Sequence, residues 1–214
     1  NSVWVASAAA LVCAAAALWL AYAERLYPQR LVRGGVRVAT LGYAVPGLVL
    51  AVALMLPMTS FDKWIATALR DVLDIRWGLL LTGTSAALIF VYVARFLTVA
   101  FNSTQAGLIQ IHPQLDAAAR SLGHSPGSVL RRVHLPLLRP AILTGLLLVF
   151  IDVMKELPAT LILRPFNFET LATWVYRYAS DERLAEASTA ALAIVLVSLV
   201  PTVMLSLSRR GGAD

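Results

Sequence analysis

The sequence predicts an all-α integral membrane protein that crosses the bilayer five times. Hydrophobic residues make up 59% of its 214 positions and charged residues 14%, with a mean hydropathy of +0.75. Soluble globular domains carry about 25% charged and about 45–50% apolar residues. Five apolar segments reach the roughly 20 residues that a helix needs to cross a hydrocarbon core about 30 Å thick. The basic residues between them are unequally divided between the two sides. This composition excludes a water-soluble enzyme and a disordered tail.

The first segment covers 3–23. It lacks the basic start and short apolar core of a cleaved signal peptide, so it is kept as a span. The second covers 38–58, where Gly42, Pro46 and Gly47 permit close helix approach and a bend, or equally a hinge for alternating access. The third covers 77–101, and Arg95 near its inner end is expected to snorkel to the interface. The fourth covers 141–163 and the fifth 185–207. The chain begins at Asn1 rather than Met, so it is expected to be part of something longer. Cys13 is the single cysteine, which leaves no intrachain disulfide and no thiolate metal cluster.

Net charge is +6 with a pI near 10.0. In a membrane chain that excess reports orientation, not nucleic-acid binding. One set of connections holds Arg25, Arg30, Arg33, Arg37, Arg120, Arg131, Arg132, Arg139, Arg209 and Arg210, ten basic residues. The opposite set holds Lys63, Arg70, Arg76, Arg164, Arg177 and Arg183, six. Basic excess marks the cytoplasmic face, so the amino terminus is expected outside and the carboxyl terminus inside.

The loop 102–140 is long, basic and divided by Gly and Pro. Asp116 is placed to cap a short helix over 117–122. Gly123 would end it by entering the left-handed conformation cheaply. Ser125-Pro126 then signals a second start, leading into a basic helix through Val129, Arg131, Arg132 and Val133 to Leu135-Pro136. A short helix, a glycine hinge and a second helix make a knob suited to docking in another protein's cleft. The plainer reading is a solvated basic connector against anionic lipid.

Ala118-Ala119, three residues, Gly123, nine residues, then Val133-His134-Leu135-Pro136 resembles the EAA loop of ABC importer permeases. Ala117 stands where that pattern has Glu, and an acid, Asp116, comes one residue earlier. The resemblance implies a type I importer permease core whose loop forms a coupling helix. Asp116, Ala117, Ala118, Ala119, Arg120, Gly123, Arg131, Val133, Leu135 and Pro136 would then face a cytoplasmic ATPase dimer. No Gly-x-x-x-x-Gly-Lys-Ser/Thr segment occurs, and the lysines are Lys63 and Lys155 alone. No cofactor is therefore expected in this chain; ATP and Mg would be bound by the partner.

Asp152, Lys155 and Glu156 fall inside the fourth apolar segment, where each charge costs about 2.5–3.5 kcal/mol on insertion scales. Spacings of three and four place them on one helical face near mid-membrane. Pro158 would remove a backbone bond and kink the helix. That describes the wall of a pathway or gate, or else an ion pair that fixes packing. The run from Asp152 through Lys155-Glu156-Leu157-Pro158 and Leu163-Arg164-Pro165 to Thr173 is similar to the permeases of bacterial iron(III) importers. It implies one half of a two-lobed inner-membrane permease, fused or separate, that receives ferric iron from a periplasmic binding protein.

Glu169, Tyr176, Tyr178, Asp181 and Glu182 cluster in the outer loop around Trp174. They are expected to contact the binding protein from a short interfacial helix; an iron site there is the other reading. His112, His124 and His134 lack ligand spacing and are taken as surface residues, so no metal ligands are assigned. An intramembrane hydrolase would need Ser85, Ser103 or Ser198 beside a His, and no His lies in a span, although a serine with Lys155 stays open. Other solutes (thiamine, sulfate, phosphonate) and an ion-coupled carrier using Asp152 and Glu156 also stay open.

Overall fold

The computed structural model describes residues 1–73 and 81–210. Arg76, Asp214 and the start of the expected third span at Trp77 lie outside the described residues.

Helix α1 (Ser2–Leu26) carries a stripe of small side chains, Ala6, Ala10, Cys13, Ala14, Ala17 and Ala21, at spacings of three and four. All of them are buried. Small residues let helix backbones approach closely where no hydrophobic driving force between helices exists. Against this stripe packs α4 (Ser85–Gln110), and against both packs α7 (Leu135–Met154), which gives a three-helix core. Gly107 and Gly145 set the α4–α7 contact. A Cβ on Gly145 would stand 3.1 Å from the Ala100 backbone, and one on Gly107 would stand 2.6 Å from the Ala141 methyl.

Between α1 and α4 lie α2 (Arg30–Ala39), a tight turn Gly42–Ala44, and α3 (Gly47–Leu73). The expected span over 38–58 is therefore displaced. Pro46, without an N–H and with a fixed φ, marks the start, and the helix continues past Asp62 and Lys63. Asp62 is tolerated in α3 because its carboxylate accepts the Leu81 and Thr82 amides at 2.9 and 2.7 Å. The expected third span also shifts. Gly83, at φ +76, precedes an extended Thr84, and α4 starts only at Ser85. It runs on through Ser103 and Thr104, whose hydroxyls stay satisfied inside the helix by donating back to the Val99 and Ala100 carbonyls.

Past α4 come α5 (Pro113–Ser121) and α6 (Pro126–Val129), then a wide π turn Leu130–His134 that runs straight into α7. Two residues beyond the turn stands Pro136, which cannot donate to the Arg132 carbonyl inside it. The basic helix does not stop at Leu135-Pro136 as expected; it becomes the fourth span. Beyond α7 lie α8 (Pro158–Leu163), α9 (Leu171–Ser180) and α10 (Leu184–Arg210). Helix α3 packs on α8, and α10 packs on α9 and α7.

Among the described residues, five helical stretches are long and apolar enough to cross a membrane: Ser2–Leu26, Gly47–Arg70, Ser85–Gln110, Pro126–Met154 and Leu184–Val203. The outward faces of α3 and α10 expose Leu48, Val52, Leu56, Leu192, Leu196 and Val200, as lipid-facing or subunit-facing helices do.

Candidate functional site

Two clusters of charge occupy the ends of α7. At its start, α5 is seated differently from the sequence expectation. The helix begins at Pro113, four residues earlier than expected, and its cap is His112, whose Nδ1 accepts the Gln114 amide at 3.2 Å. Asp116 is therefore not the cap. It sits in the first turn and faces inward. The Arg25 Nε and Nη2 both lie 2.8 Å from Asp116 Oδ2. Arg25 also donates to the Leu108 and Ile111 carbonyls at 2.6 and 2.9 Å, which satisfies the exposed end of α4. On its other oxygen, Asp116 meets His134 Nε2 at 2.6 Å. His134 is only 1% exposed, with the Tyr22 ring edge-on at 5.5 Å. The expectation of a surface histidine is overturned: helix continuity through 130–135 turns His134 into the core. Tyr22 donates to the Pro126 carbonyl at 2.7 Å. A cleft of about 340 Å³ opens beside these groups, lined by Tyr22, Arg25, Asp116, Arg120 and Pro126.

Gly123 does end α5, at φ +79. Its amide donates to Arg120, and the His124 amide donates to Ala119, at 2.9 and 3.1 Å. This paired closure needs a left-handed residue at that position. Ser125 accepts the Ser128 amide and starts α6 as expected. Ala117, Ala118, Arg120, Gly123, Arg131 and Pro136 are exposed, Val133 and Leu135 are half-buried, and Ala119 is buried. Leu122, 77% exposed, adds an apolar tip. The knob thus shows alanines, arginines and a leucine outward, and hides its acid.

At the far end of α7 the helix stops at Met154. Asp152, Lys155 and Glu156 consequently do not share a helical face. Lys155 leaves the helix and turns outward, 63% exposed, paired with Asp152 at 2.9 Å. Glu156 turns inward, 7% exposed. Its Oε1 accepts the Ala159 amide at 3.1 Å and caps α8, whose first residue is Pro158. Pro158 therefore starts a new helix, where its missing N–H costs nothing, instead of kinking an old one.

The partner of Glu156 is Arg95. The expected snorkelling does not occur, because α4 extends well beyond Phe101 and leaves Arg95 near its middle. Arg95 Nε lies 3.5 Å from Glu156 Oε2, and Nη1 donates to the Val45 carbonyl at 3.3 Å. Gly47 touches both groups: a Cβ there would overlap Arg95 Nη1 and stand 2.7 Å from Glu156 Oε1. Gly42 is pressed against the Ala94 backbone. The close approach expected of these glycines holds, but in the break before α3 and not inside a helix. Close by, the Tyr92 hydroxyl meets Thr160 Oγ1 at 2.5 Å. Neither Arg25 nor Arg95 carries a sequence signal that assigns these roles; both read as ordinary loop or interface arginines.

The expected outer helix is α9. Thr170 and Thr173 cap it reciprocally. Glu169 is tied to the fold, accepting the Thr173 hydroxyl at 2.7 Å and pairing with Arg164. Burial pushes its carboxyl up, but the Thr173 hydroxyl and the Arg164 guanidinium outweigh that and hold it below the usual carboxylate value. Tyr176, Asp181 and Glu182 are exposed, and Tyr178 is half-buried under Arg183. Among the described residues no group of three or more His, Cys, Asp or Glu side chains converges to hold a metal.

A core of closely packed spans, a knob between the third and fourth, and a span that breaks at an ionisable segment define a solute-permease class. The fold matches that of a bacterial alginate ABC transporter solved with its alginate-bound periplasmic protein, at TM-score 0.76, 16% identity, and coverage of 100% of this chain and 78% of that one. It also matches the MetNI methionine ABC transporter in inward-facing form, at TM-score 0.68, 17% identity, and coverage of 100% and 95%. The chain belongs to the family of binding-protein-dependent transport system inner membrane components, whose model matches residues 13–210.

It is similar to the Fe(3+)-transport system permease protein FbpB 2 of Haemophilus influenzae, 31% identical over 205 residues. That match covers 96% of this chain and 37% of the relative. It is also similar to the 2-aminoethylphosphonate transport system permease protein PhnV of Salmonella typhimurium, 35% identical over 120 residues, covering 56% of this chain and 43% of that one. The chain spans less than half the length of these relatives.

Proposed function

We propose that this chain is one lobe of the inner-membrane permease of an ATP-driven importer that moves ferric iron. The observation that carries the iron reading is the likeness to the iron permease over 96% of the chain, which takes in the α7–α8 break. Under this reading the exposed face of α5 and α6 docks on a cytoplasmic ATPase dimer that binds ATP and Mg. The α9 segment, with Tyr176, Tyr178, Asp181 and Glu182, meets the periplasmic binding protein. Glu169 serves that surface indirectly, by holding α9 in place. The amino-terminal end of α1 lies outside, and α10 ends in the cytoplasm beside a second permease lobe, fused or separate. Asp152, Lys155, Glu156 and Pro158 form the break at which the pathway is gated. The α5–Gly123–α6 knob supports the coupling part of the proposal.

Radiolabelled iron uptake in a strain lacking the full-length gene tests the substrate. A drop to background supports iron, and wild-type uptake eliminates it. The PhnV likeness over 120 residues favours a phosphonate as the second reading, and phosphonate uptake in the same strain separates the two.

A further inference from the structure

We infer that Arg95 is the pin joining the α3–α8 pair to the α1–α4–α7 core, and that its release from Val45 and Glu156 is the gating motion of this lobe. The inference rests on the reading of the chain as a permease and deepens it.

Arg95 lies about 15 Å from the Ser85 end of α4 and about 22 Å from the Gln110 end, deep within the span. A charge at that depth is held only by specific partners. Its partners come from two separate segments, the Val45 carbonyl ahead of α3 and the Glu156 carboxylate that caps α8. Since α3 and α8 pack on one another, a single side chain on the core grips both members of the outer pair. Three interruptions meet there: the turn before Gly47, the end of α7 and the start of α8.

The grip is loose. The contacts are 3.3 and 3.5 Å. Arg25, by contrast, holds its three acceptors at 2.6–2.9 Å. A half-buried cation held by long contacts at the meeting of broken helices suits a joint that opens and recloses, whereas the short Arg25 bonds suit a fixed anchor. Gly47 protects the joint, because any larger residue would enter the space between the two charged groups.

The test uses the full-length permease with its ATPase in proteoliposomes, reading ATP hydrolysis with and without loaded binding protein. Arg95→Glu and Glu156→Arg each lower the ratio of stimulated to basal hydrolysis about tenfold, because two like charges facing each other disfavour the closed joint. The double reversal restores the ratio to within about threefold of the parent. Gly47→Ala, which parts the pair with both charges intact, shifts the ratio in the same direction and serves if a reversal variant does not assemble. An unchanged ratio in the single variants, or a double variant no better than either single, overturns the inference. A pair that only aids assembly changes the amount of complex and leaves the ratio per complex alone. If the parent complex shows no stimulation at all, the permease reading fails instead.

Discussion

Changing Asp116 to Asn keeps the shape of the side chain and removes the charge that Arg25 and His134 share. Asp116 Oδ2 accepts two Arg25 nitrogens at 2.8 Å, and its Oδ1 lies 2.6 Å from His134 Nε2. Hydrogen bonds to charged groups contribute about 1.5–3 kcal/mol each, and breaking one partner of a buried pair costs about 3–5 kcal/mol. The Asp116 and Arg25 side chains keep 22% and 16% of their surface in solvent, which reduces the cost to about 2–3 kcal/mol. At about 1.4 kcal/mol per factor of ten, α5 should open some 30- to 150-fold more often. Hydrogen exchange of the amides of residues 114–121 in the assembled transporter measures this directly. Arg25→Gln should produce a similar rise, and the double variant should fall well short of the product of the two, because both remove the same contact. Exchange within about threefold of the parent would refute the reasoning. It would return Asp116 to the role suggested by its place beside the EAA pattern, an acid offered to the ATPase.

Two further outcomes follow from the geometry. Gly123 sits at φ +79 with open space around its Cα, so Gly123→Ala should cost about 1 kcal/mol from backbone conformation alone, and Gly123→Asn distinctly less. Thermal denaturation of the complex checks both, and equal losses would show that the left-handed turn is not what the position requires. Glu169 has its carboxyl depressed below the ordinary 4.5 by Thr173 and Arg164. Its contribution is therefore fully present above about pH 4.5 and is lost as pH falls through the lower folded value. Trp174 fluorescence should report loosening of α9 in acid, and Arg164→Gln should move that loosening to higher pH.

The number of spans, the glycine stop at Gly123 and the second start at Ser125-Pro126 were legible because each has a local cause: apolar length, backbone chirality and proline's missing donor. The charged segment was legible as unusual and misread in geometry. Helical spacing puts Asp152, Lys155 and Glu156 together only while the helix lasts, and it ends at Met154. Hydropathy likewise placed the second and third spans early, because it does not register that Pro46 and Gly83 delay each helix or that Ser103 and Thr104 bond back into theirs. Arg25, Arg95 and His134 were unreadable for a different reason. Their partners lie 91, 61 and 18 residues away in sequence, and a lone arginine near a span boundary looks the same whether it snorkels or pairs.

The two charged clusters acquire a joint meaning from α7. His134 stands immediately before it and Glu156 two residues after it, so a helix of 20 residues, about 30 Å long, connects the anchor of α5 to the cap of α8. Helices α7 and α4 approach closely where Gly145 seats against Ala100 and where Gly107 admits Ala141, and close-packed interfaces resist smooth deformation. Under the proposed coupling, a push on α5 would reach α1, α4 and α7 together. Of the two arginine clusters, the one at Arg95 has the longer contacts, although Tyr92 and Thr160 join the same two helices at 2.5 Å. On that same proposed coupling, the short, multiply bonded cluster sits at the end that would receive the force, and the long-contact arginine at the end that would yield.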